Sequence, residues 1–421
     1  MVLTRVNKEI IALVLLFVAV ILSRLPFINL GYGLDPDAWR VIDVSRTLAE
    51  TGLYKASRLP GYPLYEYLIA LTCAYKNPIY SNFITAIFSA ISTCFFALIL
   101  RTLNIQRYIY PALAFALVPV VYINSVNTME YMIAFTFVLM SIYYTLKSKY
   151  RLAAILLGLA IGFRITSGAM LLPLLIIILT SKTQAKKTKS IEFLAITLLM
   201  ATIAFIPVFK AYGLNFFTFY DHDSLNITKA ISKFSVGVWG SLGLVGLFVA
   251  VIASCFYVKN ILALSTQKKQ VLIALIVSIL LYIIAFIRLP HESAYLIPVV
   301  AFTIMALTLF LPNPVLLFLC ICLMISPFIS TVDSTKFSIL GPIVIDTLSK
   351  KKRIDDNKEI IFKIRSLPGK QAIIAGPREP SLKSAFKKLD SRHILIYSIK
   401  NDSEKQAYKE QGFTLIHLDE I

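Results

Sequence analysis

Ile10-Ile-Ala-Leu-Val-Leu-Leu-Phe-Val-Ala-Val-Ile-Leu22 runs straight into Ser23-Arg-Leu-Pro-Phe27 and then Leu34-Asp-Pro-Asp-Ala-Trp-Arg40. The first part is an unbroken apolar run. The second sets two carboxylates, Asp35 and Asp37, at its mouth, where acids near hydrocarbon are expensive to keep. Apolar blocks recur at 152–179, 191–208 and 271–287, and a helix needs about 20 such residues to cross a hydrocarbon core. Of the 421 residues, 57% are hydrophobic and only 15% charged. A soluble domain carries about a quarter charged residues, so a soluble globular enzyme is excluded. The mean hydropathy of +0.75 agrees. The chain is expected to be an all-α polytopic membrane protein of the cell membrane. No small-residue cleavage site follows the first run, which therefore reads as an uncleaved anchor.

The net charge of +19 raises the question of nucleic acid, but the distribution answers it. The basic residues cluster between apolar runs: Arg5/Lys8, Arg101/Arg107, Lys147/Lys149/Arg151, Lys182/Lys186/Lys187/Lys189 and Lys259/Lys268/Lys269. Such clusters mark cytoplasmic loops and set orientation; no nucleic-acid partner is expected, and the lipid bilayer is. Cys73, Cys94, Cys255, Cys320 and Cys322 lie in or beside apolar runs and read as small hydrophobes. They form neither a disulfide framework nor a metal spacing.

With every basic cluster inside, about eleven spans follow. They fall at 10–22, 83–100, 108–123, 131–146, two halves of 152–179, 191–209, 236–258, 271–287, 294–311 and 315–329. A long first outer loop, 24–82, holds an aromatic amphipathic segment, Tyr62-Pro-Leu-Tyr-Glu-Tyr, suited to a juxtamembrane helix. The block 152–179 has basic residues at both ends, so it must break near Gly162-Phe-Arg-Ile-Thr-Ser-Gly168. Otherwise Arg164 would be stranded in hydrocarbon. Past about 346 the chain turns charged. Strand patterns at 371–375, 393–397 and 413–417 alternate with helix patterns at 359–365, 382–389 and 403–411. The expected division is a membrane domain over 1–345 and a small soluble α/β domain over 346–421, on the extracytoplasmic side.

This topology gathers Asp35, Asp37, Arg40, Glu130, Arg164, Asp221, His222, Asp223, Arg288, His291 and Glu292 on the outer face. A carboxylate there can serve as general base, and arginine forks match phosphate oxygens. The plainer roles stand beside these. Asp35-Pro-Asp37 would cap a helix starting at Ala38, Glu130 would open a helix whose dipole favours an acid, and Arg164 and Arg288 would snorkel. Asp221-His-Asp223 reads as a solvated loop, because three adjacent residues rarely converge on one ion. His393 and His417 read as structural. No metal site is expected.

The order of an apolar span, Arg24-Leu-Pro-Phe, Asp37-Ala-Trp-Arg, Ala49-Glu-Thr-Gly-Leu-Tyr and Leu59-Pro-Gly-Tyr-Pro-Leu-Tyr resembles the first outer loop of the C-type glycosyltransferase superfamily. That superfamily includes protein O-mannosyltransferases and the aminoarabinose transferases of lipid A. Glu130, Gly158-Leu-Ala-Ile-Gly-Phe-Arg164 and Arg288-Leu-Pro-His-Glu-Ser-Ala-Tyr295 extend the likeness. The resemblance implies a polyprenyl-phosphate sugar donor, a lipid, glycan or protein acceptor, and transfer with inversion on the outer face. It implies Asp37 as the loop-one Asp that serves as base or binds the acceptor, with Asp35 as the close runner-up for that role, Ala38 standing where the family often has the second acid of a pair. It further implies Glu130 as the second acidic position, Arg164 and Arg288 on the donor phosphate, and His291 and Glu292 near the sugar or lipid head. Phosphate chemistry is compatible with a divalent cation without requiring one. The competing class is a multi-span transporter or flippase, which would show inverted repeats; no such symmetry is visible. The Trp-Trp-Asp signature of oligosaccharyltransferases is absent, the only tryptophans being Trp39 and Trp239.

Overall fold

The computed structural model describes residues 2–72, 77–217, 227–331, 337–338, 340–385, 392–399 and 401–421. Asp221, His222 and Asp223, like Cys73, lie outside the described residues. The chain is 77% helical. Helix α1 (Val2–Arg24) leads into the first long loop, which carries α2 (Pro36–Thr51) and α3 (Pro63–Ala70). Asp35 starts α2: its side chain accepts from the Asp37 N–H at 2.9 Å, with Pro36 at the first helical position. Gly52 stops it in the left-handed region (φ +70°), its N–H bonded to the Leu48 carbonyl. Helix α4 (Pro78–Thr102) follows, then α5 (Ile109–Leu117) and α6 (Pro119–Asn124). These last two divide one apolar run, because Val118 precedes a proline and is held at ψ 135°. The bundle continues with α7 (Tyr131–Leu146), α8 (Tyr150–Phe163), α9 (Leu171–Thr180), α10 (Lys186–Tyr212), α11 (Ile227–Phe234), α12 (Val236–Tyr257), α13 (Thr266–Arg288), α14 (Ile297–Phe310) and α15 (Asn313–Ile325).

Among the described residues, six helical segments are long and apolar enough to cross a membrane. They are Asn7–Phe27, Pro78–Thr102, Lys186–Phe216, Val236–Ile261, Thr266–Arg288 and Ser293–Phe310. Tyr131–Leu146, Tyr150–Phe163, Ile165–Thr180 and Asn313–Ile325 are apolar but shorter. These segments do not confirm the expected count of about eleven. Hydropathy sums apolar residues without seeing where the backbone turns at Pro119 and at Ser326, whereas the turn at Arg164 falls inside the expected break. Arg164 is extended (φ −157°, ψ 115°) between α8 and a 3-10 turn over Ile165–Met170, which is where the block 152–179 breaks. The glycines before it serve packing instead. A Cβ on Gly158 would lie 2.4 Å from Met200 Cβ, so α8 and α10 touch through a small-residue face.

Helix α7 packs between α4 and α8, α13 against α14, and α12 against α15. Large apolar side chains stay exposed along α1, α10, α12 and α13, among them Leu15, Leu199, Phe248 and Ile284. A belt of that extent suits hydrocarbon rather than water. The basic clusters come together as the charge rule implies. Arg101 pairs with Glu9, while Arg151 and Lys189 both pair with Glu192. Gln270 bonds the Thr180 carbonyl. The opposite end of the bundle carries the start of α4, the end of α8 and the turn before α7.

Beyond α15 the chain forms a short antiparallel pair, β1 (Ser330–Thr331) with β2 (Phe337–Ser338), and then α16 (Pro342–Ser366). This helix starts well before the expected 359–365, and the expected boundary at 345/346 falls inside it. Strands β3 (Gln371–Ile374), β4 (His393–Ile396) and β5 (Thr414–His417) alternate with α17 (Glu379–Ala385) and α18 (Asp402–Glu410). The sheet is parallel in the order β4-β3-β5, with Gln371 opposite His393 and Thr414. Ile364, Ile373, Ala375, Leu382 and Leu395 form a core separate from that of the bundle.

Candidate active site

The first long loop is stitched to the bundle by neutral hydrogen bonds. Asn82 at the start of α4 donates to the carbonyls of Ile28 and Gly31, both at 2.8 Å. Its side-chain oxygen accepts from Thr128, and the Thr128 N–H bonds the Tyr32 carbonyl at 2.8 Å. These contacts bring the acids of α2 beside the turn that ends at Glu130. Glu66 fixes the other half of the loop. It is fully buried and accepts from Tyr54 Oη (2.5 Å), the Ser57 N–H (2.6 Å), Ser57 Oγ (2.7 Å) and the Tyr62 N–H (3.4 Å). Burial raises its carboxyl above the usual carboxylate range, and the donated hydrogen bonds oppose that rise. Its effect is to hold residues 57–62 in one shape, with Arg58 facing inward.

Arg58 joins the two acidic segments. Its Nε lies 3.0 Å from Asp37 Oδ2 and its Nη2 lies 2.8 Å from Glu130 Oε1. The guanidinium also sits 4.0 Å above the Tyr62 ring. Burial alone would favour the neutral form, but Glu130, Tyr62 and Asp37 hold the cation well above the ordinary arginine value. Asp37 Oδ1 accepts from Arg40 at 2.8 Å, so both of its oxygens are occupied by guanidinium groups. Arg164 pairs with the same Glu130 oxygen as Arg58 and lies over both the Tyr131 and Tyr295 rings, 4.6 and 4.7 Å from their centroids. The continuous chain Arg40–Asp37–Arg58–Glu130–Arg164 thus sets three guanidinium cations on two carboxylates.

That imbalance has open valences. Arg58 Nη1, Glu130 Oε2 and the Tyr131 hydroxyl are buried without hydrogen-bond partners. Leaving such groups unmade costs about 1–3 kcal/mol each, and a polar ligand that entered would recover it. Asp35 differs from Asp37. Its Oδ1 serves the cap of α2, and among the described residues its other oxygen has no partner. Burial, reinforced by the charges of Asp37 and Glu292, pushes its carboxyl up to about 7, the value a base needs near neutral pH.

The structure therefore brings together Asp35, Asp37, Arg40, Glu130 and Arg164 from the residues singled out in the sequence. Capping and site membership coincide at Asp35, while Glu130 makes no cap hydrogen bond at the start of α7 and is committed to arginines. Glu292 is half-buried, close enough for its charge to act on Asp35, and pairs with Lys233 at 3.3 Å. His291 is half-buried beside it. Arg288, exposed at the end of α13, makes no ion pair among the described residues and stands outside the chain of pairs. Arg58 and Glu66 escaped the sequence reading. Arg58 was visible as a basic residue in the loop that the charge rule assigns to the acids, against that rule's trend. Glu66 was visible as an acid inside an aromatic helix. Among the described residues no set of three His, Cys, Asp or Glu side chains is arranged to hold a metal ion.

No curated protein matches this chain. Residues 125–232, which include Glu130 and Arg164, match the family model described as Mannosyltransferase (PIG-M), a family of C-type membrane glycosyltransferases. A glycosyltransferase of that class fits an ionised pocket at one end of an apolar bundle, and the chain is accordingly a membrane glycosyltransferase enzyme.

Proposed function

We propose that this enzyme moves a hexose, most directly mannose, from a polyprenyl-phosphate donor to a hydroxyl on a lipid, glycan or protein acceptor, at the extracytoplasmic face of the cell membrane. The acceptor oxygen attacks the anomeric carbon as the bond from that carbon to the phosphate oxygen breaks. The leaving polyprenyl phosphate takes the electron pair, the hydroxyl proton passes to a loop-one carboxylate, and configuration inverts. Asp35 is the better placed base, because it alone of the two has an oxygen free of a guanidinium. Asp37 then anchors Arg58, which takes with Arg164 the phosphate role that the sequence gave to Arg164 and Arg288. The carrying observation is that Arg58 and Arg164 share one oxygen of the buried Glu130, together with the unpartnered Arg58 Nη1; an arriving phosphate supplies the missing acceptor. The donor set around Asp35 and Asp37 does not require a divalent cation. The C-terminal residues from about 346 form the second unit, on the same face.

The test is release of polyprenyl phosphate from mannosyl-phosphoryl-polyprenol by purified protein, with a membrane lipid extract as acceptor. Asp35→Asn, which keeps the helix cap, is expected to lower the rate about 10²–10⁴-fold, the usual contribution of a general base, with donor KM little changed. Asp37→Asn is expected to lower the rate and raise donor KM, because it releases Arg58. Full activity in both variants would rule out the mechanism. Movement of donor across vesicles without chemistry would decide for a flippase.

A further inference from the structure

The C-terminal unit touches both acid-bearing segments of the site. Arg353 on α16 donates from Nη1 to the carbonyl of Leu34, the residue before Asp35, at 3.0 Å. Lys350, one turn earlier, donates to the Asn127 side chain, three residues before Glu130, and pairs with Asp346 at 2.7 Å. Helix α17 packs on α2, and Arg40, the partner of Asp37, lies 5.1 Å over the Tyr397 ring that follows β4. Lys350 is 2% exposed. A buried ion pair adds little net stability over an apolar pair of similar volume, so the placement of Lys350 against a polar side chain calls for another explanation.

We propose that the C-terminal unit is a wall of the transfer site, and that Arg353 and Lys350 are positioning residues which fix the Asp35–Asp37 segment against the turn bearing Glu130. This rests on the glycosyl-transfer function proposed above. Asn82 and Thr128 grip the same loop from the bundle side, so α16 closes the opposite side and leaves Asp35 little freedom to drift. Arg353 also adds charge. Asp35 faces the carboxylates of Asp37 and Glu292, the Tyr131 hydroxyl and the Arg58 cation, with Arg353, itself flanked by Arg378 and Asp356, as a weaker cationic neighbour held on the Leu34 carbonyl. Loss of the Arg353 cation raises the Asp35 carboxyl further, so the ionised base appears only at higher pH.

The test uses the full chain in lipid nanodiscs with mannosyl-phosphoryl-polyprenol and the same lipid extract. Rates are measured from pH 5 to pH 9 for the wild type, Arg353→Gln, Arg353→Lys and the remote surface control Lys405→Ala. Arg353→Gln is expected to move the acid limb upward by up to about half a pH unit. Its kcat should fall up to about threefold near pH 6 and converge with wild type near pH 9, half a unit being about threefold in the ionised fraction, and donor KM should stay within about twofold. Arg353→Lys should keep the wild-type limb. Hydrogen exchange at residues 31–40 should quicken in Arg353→Gln and in Lys350→Met. An unshifted limb, a uniform fall at every pH, or unchanged exchange would overturn the positioning role while the wild type remains active. A wild type that turns over no mannosyl, glucosyl or aminoarabinosyl donor would overturn the functional reading itself.

Discussion

Two arginine nests lie at the same end of this bundle and solve the burial of a cation in opposite ways. Arg24, fully buried at the end of α1, donates to Ser125 Oγ (3.0 Å), Ser23 Oγ (2.7 Å) and the Ala116 carbonyl, and rests 4.1 Å from the Tyr122 ring centroid. Its partners are neutral and none of its nitrogens is left over. Arg58 and Arg164 are paired with carboxylates, yet Arg58 Nη1 and Glu130 Oε2 are unpartnered. The first nest is complete as it stands and ties α1 to the α5–α6 break. The second is complete only with a guest. Unfilled valence, more than charge or burial, separates architecture from a site here.

The comparison breaks most visibly at Glu130. Glu130→Ala leaves two buried guanidinium groups without their shared oxygen. The expected loss is about 3–5 kcal/mol, as for one member of a buried pair, with transfer abolished. A detergent-solubilised variant that melts like the wild type would equate the two nests. Arg24→Met is expected to cost less, about 1–3 kcal/mol from the polar groups it leaves unpaired, and to spare transfer per folded molecule. A specific loss of catalysis in that variant would make Arg24 part of the site. The smallest effect concerns acid. Because folding raises the Asp35 carboxyl to about 7, the folded state holds that proton more tightly than the unfolded chain does. Its contribution to stability is full below about pH 4, declines as pH rises through about 7, and is flat above. Thermal melts across that window should slope less in Asp35→Asn, and an unchanged slope would return Asp35 to an ordinary helix cap.

Much of this arrangement was legible in the residues. The acids of loop one, Glu130 and Arg164 could be grouped because basic clusters fix which ends of the helices meet, and the pairs Arg101–Glu9 and Arg151–Glu192 follow that logic. The three C-terminal strands could be read from apolar alternation. The span count could not, because Val118 turns the backbone inside a run whose hydropathy stays high. Arg58 could not either, since its partners stand 21 and 72 residues away in sequence and no local pattern records such a pairing. The length of α16 was hidden for a similar reason. Its buried Asp346 and Lys350 pair one turn apart, and Lys350 reaches Asn127, 223 residues away in sequence.

Gly162 carries a last consequence. An added Cβ there would lie 2.6 Å from both Ala204 and Leu64, so α8 abuts α10 and the juxtamembrane helix α3 at a single point with no slack. Leu64 is two residues from Glu66, whose grip on Ser57 aims Arg58. A methyl group inserted in greasy surroundings, touching no ionisable atom, would be transmitted like a shim under a lever to the one guanidinium that spans both acids. Damage to chemistry in this enzyme can therefore originate at a residue that has none.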